Sequence, residues 1–526
     1  MSVNIEIKSI RILIVLLGLI LFSDISHSQT YFSKRYDVFN SGKASFSNDL
    51  VETDIGYIVS FNSQAIITQY GGIGFLIVDS LGDILNTVLY EDSSCTIQTG
   101  YPGSFIKLDN DSLYASIATK MKWIPEGRYD RGWLLSMDTN MDTIWTKTYS
   151  DEPPHDTSIM FRSFRRLNDG GYIVIGLLNP ISGNGIFRIG MFRLDSIGNL
   201  LWERRFGSGN VDFQPFDVST TSDGGFIIGA AYQPRGGPSA QDNDQLLIKT
   251  DSLGFTEWQL LFGNPVCYEQ YAVVDAAMDG NIQVRAEYSD TCWGWSEWKA
   301  RIYFLKIRND KSIVWEKEYG FSKTLLVTSK VKTISNGDIV GTGWYRNSSF
   351  NGSRMVSWII LTDSSGNEKW YREYILLQGN HSDNYLNNVL HTCDNGYAAC
   401  GWALPLSPDT GTQDSWVLKV DSLGCESPGN CWVGQEEIWV KDFTPQKPFV
   451  VYPNPATDKL TIEFHTNTKG ADIKLYSLCM QLLSSTQIDP NIESIELDVG
   501  HLERGVYLLS VEVPRNAPIV DKIIKR

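Results

Sequence analysis

Of the side chains that most often carry chemistry, histidine is scarce, with six in 526 residues. His155, His381, His391, His465 and His501 follow the N-terminal segment, and none lies in His-x-His or His-Glu-x-x-His spacing, the arrangement that sets two imidazoles on one helical face around zinc. Gly-x-Ser-x-Gly, Walker A and a complete Gly-x-Gly-x-x-Gly are also missing, so neither a nucleophile elbow nor a phosphate cradle is expected. The eight cysteines are Cys95, Cys267, Cys292, Cys393, Cys400, Cys425, Cys431 and Cys479. They contain no Cys-x-x-Cys, and no metal or cofactor is predicted. Carboxylates are plentiful, 61 in all, so paired acids for glycoside hydrolysis are the one catalytic arrangement the composition leaves open. More conspicuous is aromatic surface: Trp293, Trp295 and Trp298 crowd one predicted loop, with Trp123, Tyr129 and Trp344 as candidate neighbours. Exposed Trp and Tyr stack on sugar rings or on partner side chains. The competing structural reading is that these rings cover the ends of the fold.

The elements that must hold such residues are strands. Sixteen Trp, 24 Tyr and 23 Phe beside 45 Gly favour strands and tight turns over helices. At 42% hydrophobic and 20% charged residues, the chain is neither disordered nor a multi-span membrane protein in composition. A net charge of −16 argues against non-specific binding to nucleic acid or anionic lipid.

A repeat fills the middle of the chain. Asp79-Ser80-Leu81-Gly82 recurs as Asp195-Ser196-Ile197-Gly198, Asp251-Ser252-Leu253-Gly254, Asp363-Ser364-Ser365-Gly366 and Asp421-Ser422-Leu423-Gly424, with degenerate copies at Asp138 and Arg308. These origins give seven copies with a period near 57. Seven places beyond the origin stand Trp145, Trp202, Trp258, Trp315 and Trp370, and four further on Tyr90, Tyr149, Phe206, Phe262, Tyr319 and Tyr374. Between them Lys147, Arg204, Lys317 and Arg372 share the same strand face, where they suit an exposed edge. A second hairpin with turns such as Asp169-Gly170-Gly171 and Asp223-Gly224-Gly225 completes each unit. Two hairpins per period make four strands, the content of a propeller blade. The last copy, at Asp421, lacks its aromatic strand, while Phe32-Ser33-Lys34-Arg35-Tyr36 near the start has the strand without the turn. Residues 30–38 are therefore predicted to pair with the strand before Asp421 and close a seven-bladed β-propeller over residues 29–435. Both short turn families fall at one end of the blades, which places the long connections, and any ligand, at the other.

The ends of the chain read differently. Lys8 and Arg11, the apolar run Ile12 to Phe22 and then Ser26-His27-Ser28 have the form of a secretory signal peptide over residues 1–28. The apolar run is too short to span a bilayer, and no integral membrane segment is expected in the mature chain. Export provides an oxidising setting for disulfides, for which Cys267 with Cys292 and Cys425 with Cys431 are the candidates; Cys479 is expected to be buried and free. After a linker at 436–448, residues 449–526 show short alternating strands between Pro, Asn and Gly turns, enough for a small β-sandwich.

In wording and order this last stretch resembles the C-terminal sorting domain of the type IX (Por) secretion system. The matching residues are Tyr452-Pro453-Asn454-Pro455, Leu460-x-Ile462, Ile473-x-Leu475-Tyr476, Gly505-Val506-Tyr507 and the basic-aliphatic end with Lys522 and Lys525. Cys479-Met480 stand where such domains usually place a Gly turn. The resemblance implies a Gram-negative bacterium, Sec export to the periplasm, engagement of the type IX translocon and sorting machinery, and then release or attachment at the outer-membrane surface. The middle region looks like the Trp- and Asp-Gly-Gly-rich repeat propellers found among type IX cargo, which implies a fold and no active site. Ser80, Ser112, Thr143, Ser196, Ser252 and Ser422, each between an Asp and an aliphatic residue, resemble the O-glycosylation acceptors of bacteria with this secretion type. The sequence therefore predicts a secreted or surface-held, non-catalytic module that binds a glycan or protein in adhesion. A secreted glycosidase-like hydrolase with acids at the propeller centre is the alternative, and a purely structural surface component the third reading.

Overall fold

The computed structural model describes residues 29–38, 44–64, 70–108, 112–125, 127–150, 157–180, 185–235, 243–262, 271–291, 299–350, 352–379, 381–406, 411–427, 449–464, 471–477, 482–488, 492, 494–502, 505–512 and 519–525. The chain forms two compact units that divide between residues 434 and 435. The signal segment, Cys267, Cys292, Cys431, Cys479 and Trp293 to Trp298 lie outside the described residues.

The first unit is a succession of antiparallel four-stranded meanders. The first comprises Ala44–Thr53, Gly56–Gln64, Gly72–Asp79 and Ile84–Tyr90. In the second, Thr96–Thr99 and Phe105–Lys107 share the innermost place beside Tyr114–Ile124, followed by Gly127–Met137 and Thr143–Tyr149. The third runs Thr157–Arg166, Tyr172–Pro180, Arg188–Leu194 and Leu200–Phe206, and the fourth Val211–Thr220, Phe226–Pro234, Asp244–Thr250 and Thr256–Phe262. The long strand Ile313–Thr333 ends the fifth meander, after Val273–Ala276, Ile282–Thr291 and Lys299–Ile307. The same strand begins the sixth, which continues with Ile339–Phe350, Gly352–Thr362 and Glu368–Tyr374. The seventh holds Asp383–His391, Tyr397–Leu404 and Asp414–Val420, and its fourth strand is Phe32–Tyr36 from the start of the chain. Phe32 lies opposite Lys419 and Tyr36 opposite Ser415, the pairing the two incomplete ends predict.

Burial follows position in the meander. The third strand of the first, Gly72–Asp79, is buried through seven successive residues, whereas the outermost strand of the second, Thr143–Tyr149, alternates exposed and half-buried. Each meander packs face to face on the next through its own apolar cluster: Phe75 with Trp133, Leu134 with Phe161, Ile175 with Ile228, Leu247 with Leu305, Phe304 with Trp358, and Leu361 with Trp416. A further cluster joins Phe32, Tyr36 and Val417 of the last meander to Tyr57, Val59 and Leu76 of the first. The array is thus a closed ring, a β-propeller, whose last sheet is completed on the outside by the first strand.

The repeated turns are the latches between neighbours. The Asp195 carboxylate accepts the backbone N–H groups of Ile197 and Asn199, and Gly198 takes φ +79°, the left-handed region that glycine enters without strain. The preceding meander reaches across to this turn: the Tyr149 hydroxyl donates to the Gly198 carbonyl at 2.6 Å, and Lys147 donates to Asn199 at 3.0 Å. Tyr36 bonds the Gly82 carbonyl, Tyr319 that of Gly366 and Tyr374 that of Gly424 in the same way, and Tyr90 bonds the carbonyl of Met141. The strand-edge bases therefore act in part as partners for the next turn, as Lys34 with Asp83 and Lys317 with Asn367 also show. A Cβ on Gly424 would sit 2.9 Å from the Trp370 ring, so the aromatic spacing and the glycine belong to one contact.

The terminal unit has two sheets. One is Phe449–Tyr452, Lys459–Phe464 and Ser494–Asp498; the other is Leu482–Gln487, Asp472–Ser477, Gly505–Glu512 and Ile519–Lys525. Phe449, Leu460, Ile462, Ile473, Leu475, Leu509, Val511 and Ile523 form their shared core, which makes this unit a small β-sandwich.

Candidate binding pocket

The innermost strands carry β-bulges in five meanders. The extra residue is Asn48, Arg162, Phe216, Ser329 and Asn387 in turn. A bulge turns the extra side chain out of the regular alternation. All five lie along the middle of the ring, where Asn48, Arg162, Ser329 and Asn387 line a cavity of about 330 Å³ and Phe216 lines a small space beside it. Its lining residues Phe46, Tyr385, Trp402 and Gln413 stand at or beside the ends of their strands remote from the short turns.

Two aromatic walls face this cavity. On one side the Tyr385 ring stacks on Trp402 at 3.7 Å and meets Trp344 edge-on at 4.8 Å. On the other, Tyr101, Phe216 and Tyr271 form a stack with Phe216 to Tyr271 at 3.7 Å, and the Arg162 guanidinium lies 4.4 Å over Tyr101. The same lining carries the amides of Asn48, Gln98, Asn387 and Gln413 and the hydroxyls of Thr99 and Ser329. Asn48 donates to Thr99 at 2.7 Å and Asn387 to the Ser47 carbonyl at 2.8 Å, which fixes two of the amides. No carboxylate is among the described residues lining the cavity.

The floor is a loop. Where the innermost strand of the second meander breaks, residues 100–104 cross the ring: Gly103 N–H donates to Asp49 at 2.6 Å, Tyr101 N–H to the Arg162 carbonyl at 2.8 Å, and Lys330 reaches the Pro102 carbonyl at 3.2 Å. Below it, the residue after each bulge enters a buried polar network. Asp217 is held by Lys330 at 2.6 Å, Arg165 at 3.0 Å and Ser163 at 2.8 Å, and Asn388 donates to Asp49. Asp275 accepts the Thr333 N–H at 2.7 Å. Burial alone would push the Asp217 carboxyl up, but Lys330 and Arg165 outweigh it and hold it below the usual range. Burial lowers the Lys330 ammonium to about 8 against the pull of Asp217, and raises Asp275. The acids at the ring centre are therefore structural partners, each engaged by cations or backbone donors.

Of the aromatic candidates expected from sequence, Trp344 lines the cavity. Trp123 and Tyr129 sit on the hairpin Tyr114–Ile124 and Gly127–Met137, with Trp123 69% exposed, and neither lines the cavity. The bulge residues, Tyr101, Tyr385 and Trp402 were missed. A register signal exists for four of the bulge residues alone: Arg162, Phe216, Ser329 and Asn387 each stand ten places before Tyr172, Phe226, Ile339 and Tyr397, the residues that follow the second-hairpin turns. The six Ser and Thr candidates for glycosylation are exposed, Thr143 as the first residue of its strand, and the aliphatic residues after them are exposed too, Leu81 at 56% and Leu423 at 58%. Cys425 is buried; the free cysteines among the described residues are Cys95, Cys393 and Cys400. In the terminal unit Tyr452 is exposed and donates to Glu463 at 2.9 Å, while Tyr507 packs partly against the core.

Fold and site together define a β-propeller with one central pocket described, followed by a separate β-sandwich. Residues 450–526 match the family described as the secretion system C-terminal sorting domain, so the terminal sandwich is a type IX sorting domain and the chain is cargo of that system, secreted or held at the cell surface. Among solved structures, the chain is similar to PorZ, described as an essential bacterial surface component of the type IX secretion system of Porphyromonas gingivalis, at 8% identity and a TM-score of 0.21, covering 94% of this chain and 100% of that one. A Penicillium chrysogenum α-L-arabinanase complexed with arabinobiose matches at 12% identity and a TM-score of 0.39, over 62% and 98% of the two chains. The WD40 domain of SCAP from fission yeast matches at 8% identity and 0.32, over 75% and 99%. At these scores the likenesses bear on neither activity nor ligand. No curated protein matches the chain.

Proposed function

We propose that the exported propeller, residues 29–435, is a non-catalytic module that binds a saccharide in its central pocket. The observation that carries this reading is the lining: aromatic rings on two sides, amides and hydroxyls beside them, and no carboxylate among the described residues. Sugar rings present apolar faces that stack on aromatic side chains, and hydroxyls that exchange hydrogen bonds with amides. The volume is at the lower end of the ~300–1,000 Å³ usual for ligand pockets, suited to the end of a glycan chain. The hydrolase alternative needs two acids about 5–9.5 Å apart at the sugar, whereas Asp49, Asp217 and Asp275 are engaged below the floor.

The test is a glycan-array screen of the mature chain beside two variants, Trp402→Ala and the loop triple Trp293→Ala, Trp295→Ala, Trp298→Ala. Binding lost in Trp402→Ala and kept in the loop triple supports the pocket. Binding lost only in the triple moves the site to the loop, and release of new reducing ends from a bound glycan would restore the hydrolase. Three further assignments belong to this reading: removal of residues 1–28, a Cys425–Cys431 bridge beside a Cys267–Cys292 bridge, and glycosylation at Ser80, Ser112, Thr143, Ser196, Ser252 and Ser422. Intact mass of the exported protein, before and after reduction, tests all three.

A further inference from the structure

Arg162 is the one cation that lines the pocket among the described residues. It is placed there by the bulge between Phe161 and Ser163, and its guanidinium carbon lies 4.4 Å from the centre of the Tyr101 ring. A cation over a ring face is held by the ring's quadrupole and not through its donors, so this contact consumes none of the guanidinium N–H groups. Asp130, an acid within its electrostatic reach, is already gripped by both Nε and Nη2 of Arg128, at 3.0 and 2.8 Å. Arg165, two residues after Ser163, is by contrast committed to Asp217. Below the floor Arg165 and Lys330 are matched by the carboxyl of Asp217, with Asp275 and Asp49 close by, so the positive charge offered to the pocket is that of Arg162. A guanidinium with no ion pair among the described residues, beside amides and stacking rings, suits a planar or tetrahedral oxyanion, which it can grip with two parallel hydrogen bonds.

We propose that the pocket takes a saccharide bearing an anionic group, a uronate carboxylate or a sulfate ester, with Arg162 as the anion's partner and the wall of Trp344, Tyr385 and Trp402 as the platform for the sugar ring. This assignment rests on the saccharide reading and deepens it. Gln98 and Gln413, both half-buried on the lining, are the amides left to meet the sugar hydroxyls.

The experiment is calorimetric titration of the mature chain with short oligosaccharides in matched forms: an oligouronate, its neutral methyl ester, and a sulfated neutral oligosaccharide with its unsulfated parent. Wild type, Arg162→Gln, Arg162→Lys and Trp402→Ala are compared, each with its thermal midpoint as a check of folding. The expected result is that one anionic form binds about tenfold to hundredfold more tightly than its neutral partner, the range for a charge-assisted contact. The form preferred distinguishes carboxylate from sulfate. Arg162→Gln removes that gap and the salt dependence of binding, and Arg162→Lys restores part of both. Trp402→Ala weakens all forms alike. Equal binding of neutral and anionic forms, lost in Trp402→Ala, overturns the anionic assignment and leaves the saccharide pocket standing. A gap unchanged in Arg162→Gln also overturns it. Failure of every form to bind wild type removes both.

Discussion

At the scale of single residues, the most consequential feature is a charge placed where charge is costly. Asp217 and Lys330 are each 2% exposed and lie 2.6 Å apart, with Arg165 as a third member. Such a group is weak evidence for net stabilisation, since desolvation offsets the attraction, but removing one partner strands the other. Asp217→Asn deprives two buried cations of the carboxylate they bond and is expected to cost about 3–5 kcal/mol. Lys330→Met should cost less, because Asp217 retains Arg165 and Ser163. The pH dependence has a definite sign. Asp217 has its folded pKa depressed, so its contribution is present above the unfolded value near 4 and is lost as pH falls through the folded one. Urea midpoints measured from pH 7 to pH 3 should fall more steeply in wild type than in Asp217→Asn. A variant as stable as wild type at pH 7 would show that the network is a passenger in the ring.

At the scale of elements, the latch is the unit that repeats. Its tyrosines are neutral donors, and burial, aided by nearby Asp side chains, raises Tyr36, Tyr149 and Tyr319, and Tyr90 to about 12. A group whose folded pKa is raised contributes in full below the unfolded value near 10 and is lost as pH climbs through the folded value. The propeller should therefore lose stability from pH 10 upward with the slope of several protons. Tyr319→Phe is expected to reduce that slope and to cost about 1 kcal/mol at pH 8, the net worth of one hydrogen bond; an unchanged alkaline slope would remove the tyrosines from the account. Phe206 and Phe262 hold the same place in two meanders, which is why the loss is tolerable. The latch was largely legible in sequence because its parts sit at constant spacing: Asp and Gly meet local turn demands, and the rings recur at fixed distance. The pairing of Phe32–Tyr36 with Asp414–Val420 was legible for the same reason. The pocket was not. Asn48, Arg162, Phe216, Ser329 and Asn387 occupy equivalent positions with dissimilar side chains, and a bulge is a feature of pairing, set by the partner strand and invisible in the period of one strand alone. Tyr101 was hidden for a related reason, since it stands where the regular inner strand is interrupted.

For the propeller as a whole, the seam determines whether a linear repeat becomes a ring. Each of the other junctions joins meanders adjacent in sequence, but the last is closed by a strand that lies about 380 residues from its partner, as the bond from Trp416 to Ser33 shows at a separation of 383. Phe32 and Tyr36 bury in the cluster between last and first meanders, Tyr36 latches onto Gly82, and Arg35 pairs with Asp414 at 2.6 Å. Removal of residues 29–38 therefore does three things at once. It frees the edge of Asp414–Val420, uncovers Ala398, Cys400 and Val417, and deprives the first meander of its latch. Burial of a large side chain contributes roughly 1.5–3 kcal/mol, and an open, apolar sheet edge recruits other chains. The truncated protein is expected to unfold at a lower urea midpoint and to run as dimers and larger species on size exclusion with light scattering. A synthetic peptide of residues 29–38 added in trans should return it toward the monomer, because the vacant edge offers that strand both its hydrogen bonds and its pockets for Phe32 and Tyr36. A truncated chain that stays monomeric with an unshifted midpoint would mean that the other six junctions hold the ring without its seam, and that Phe32–Tyr36 is an ornament on an already stable array.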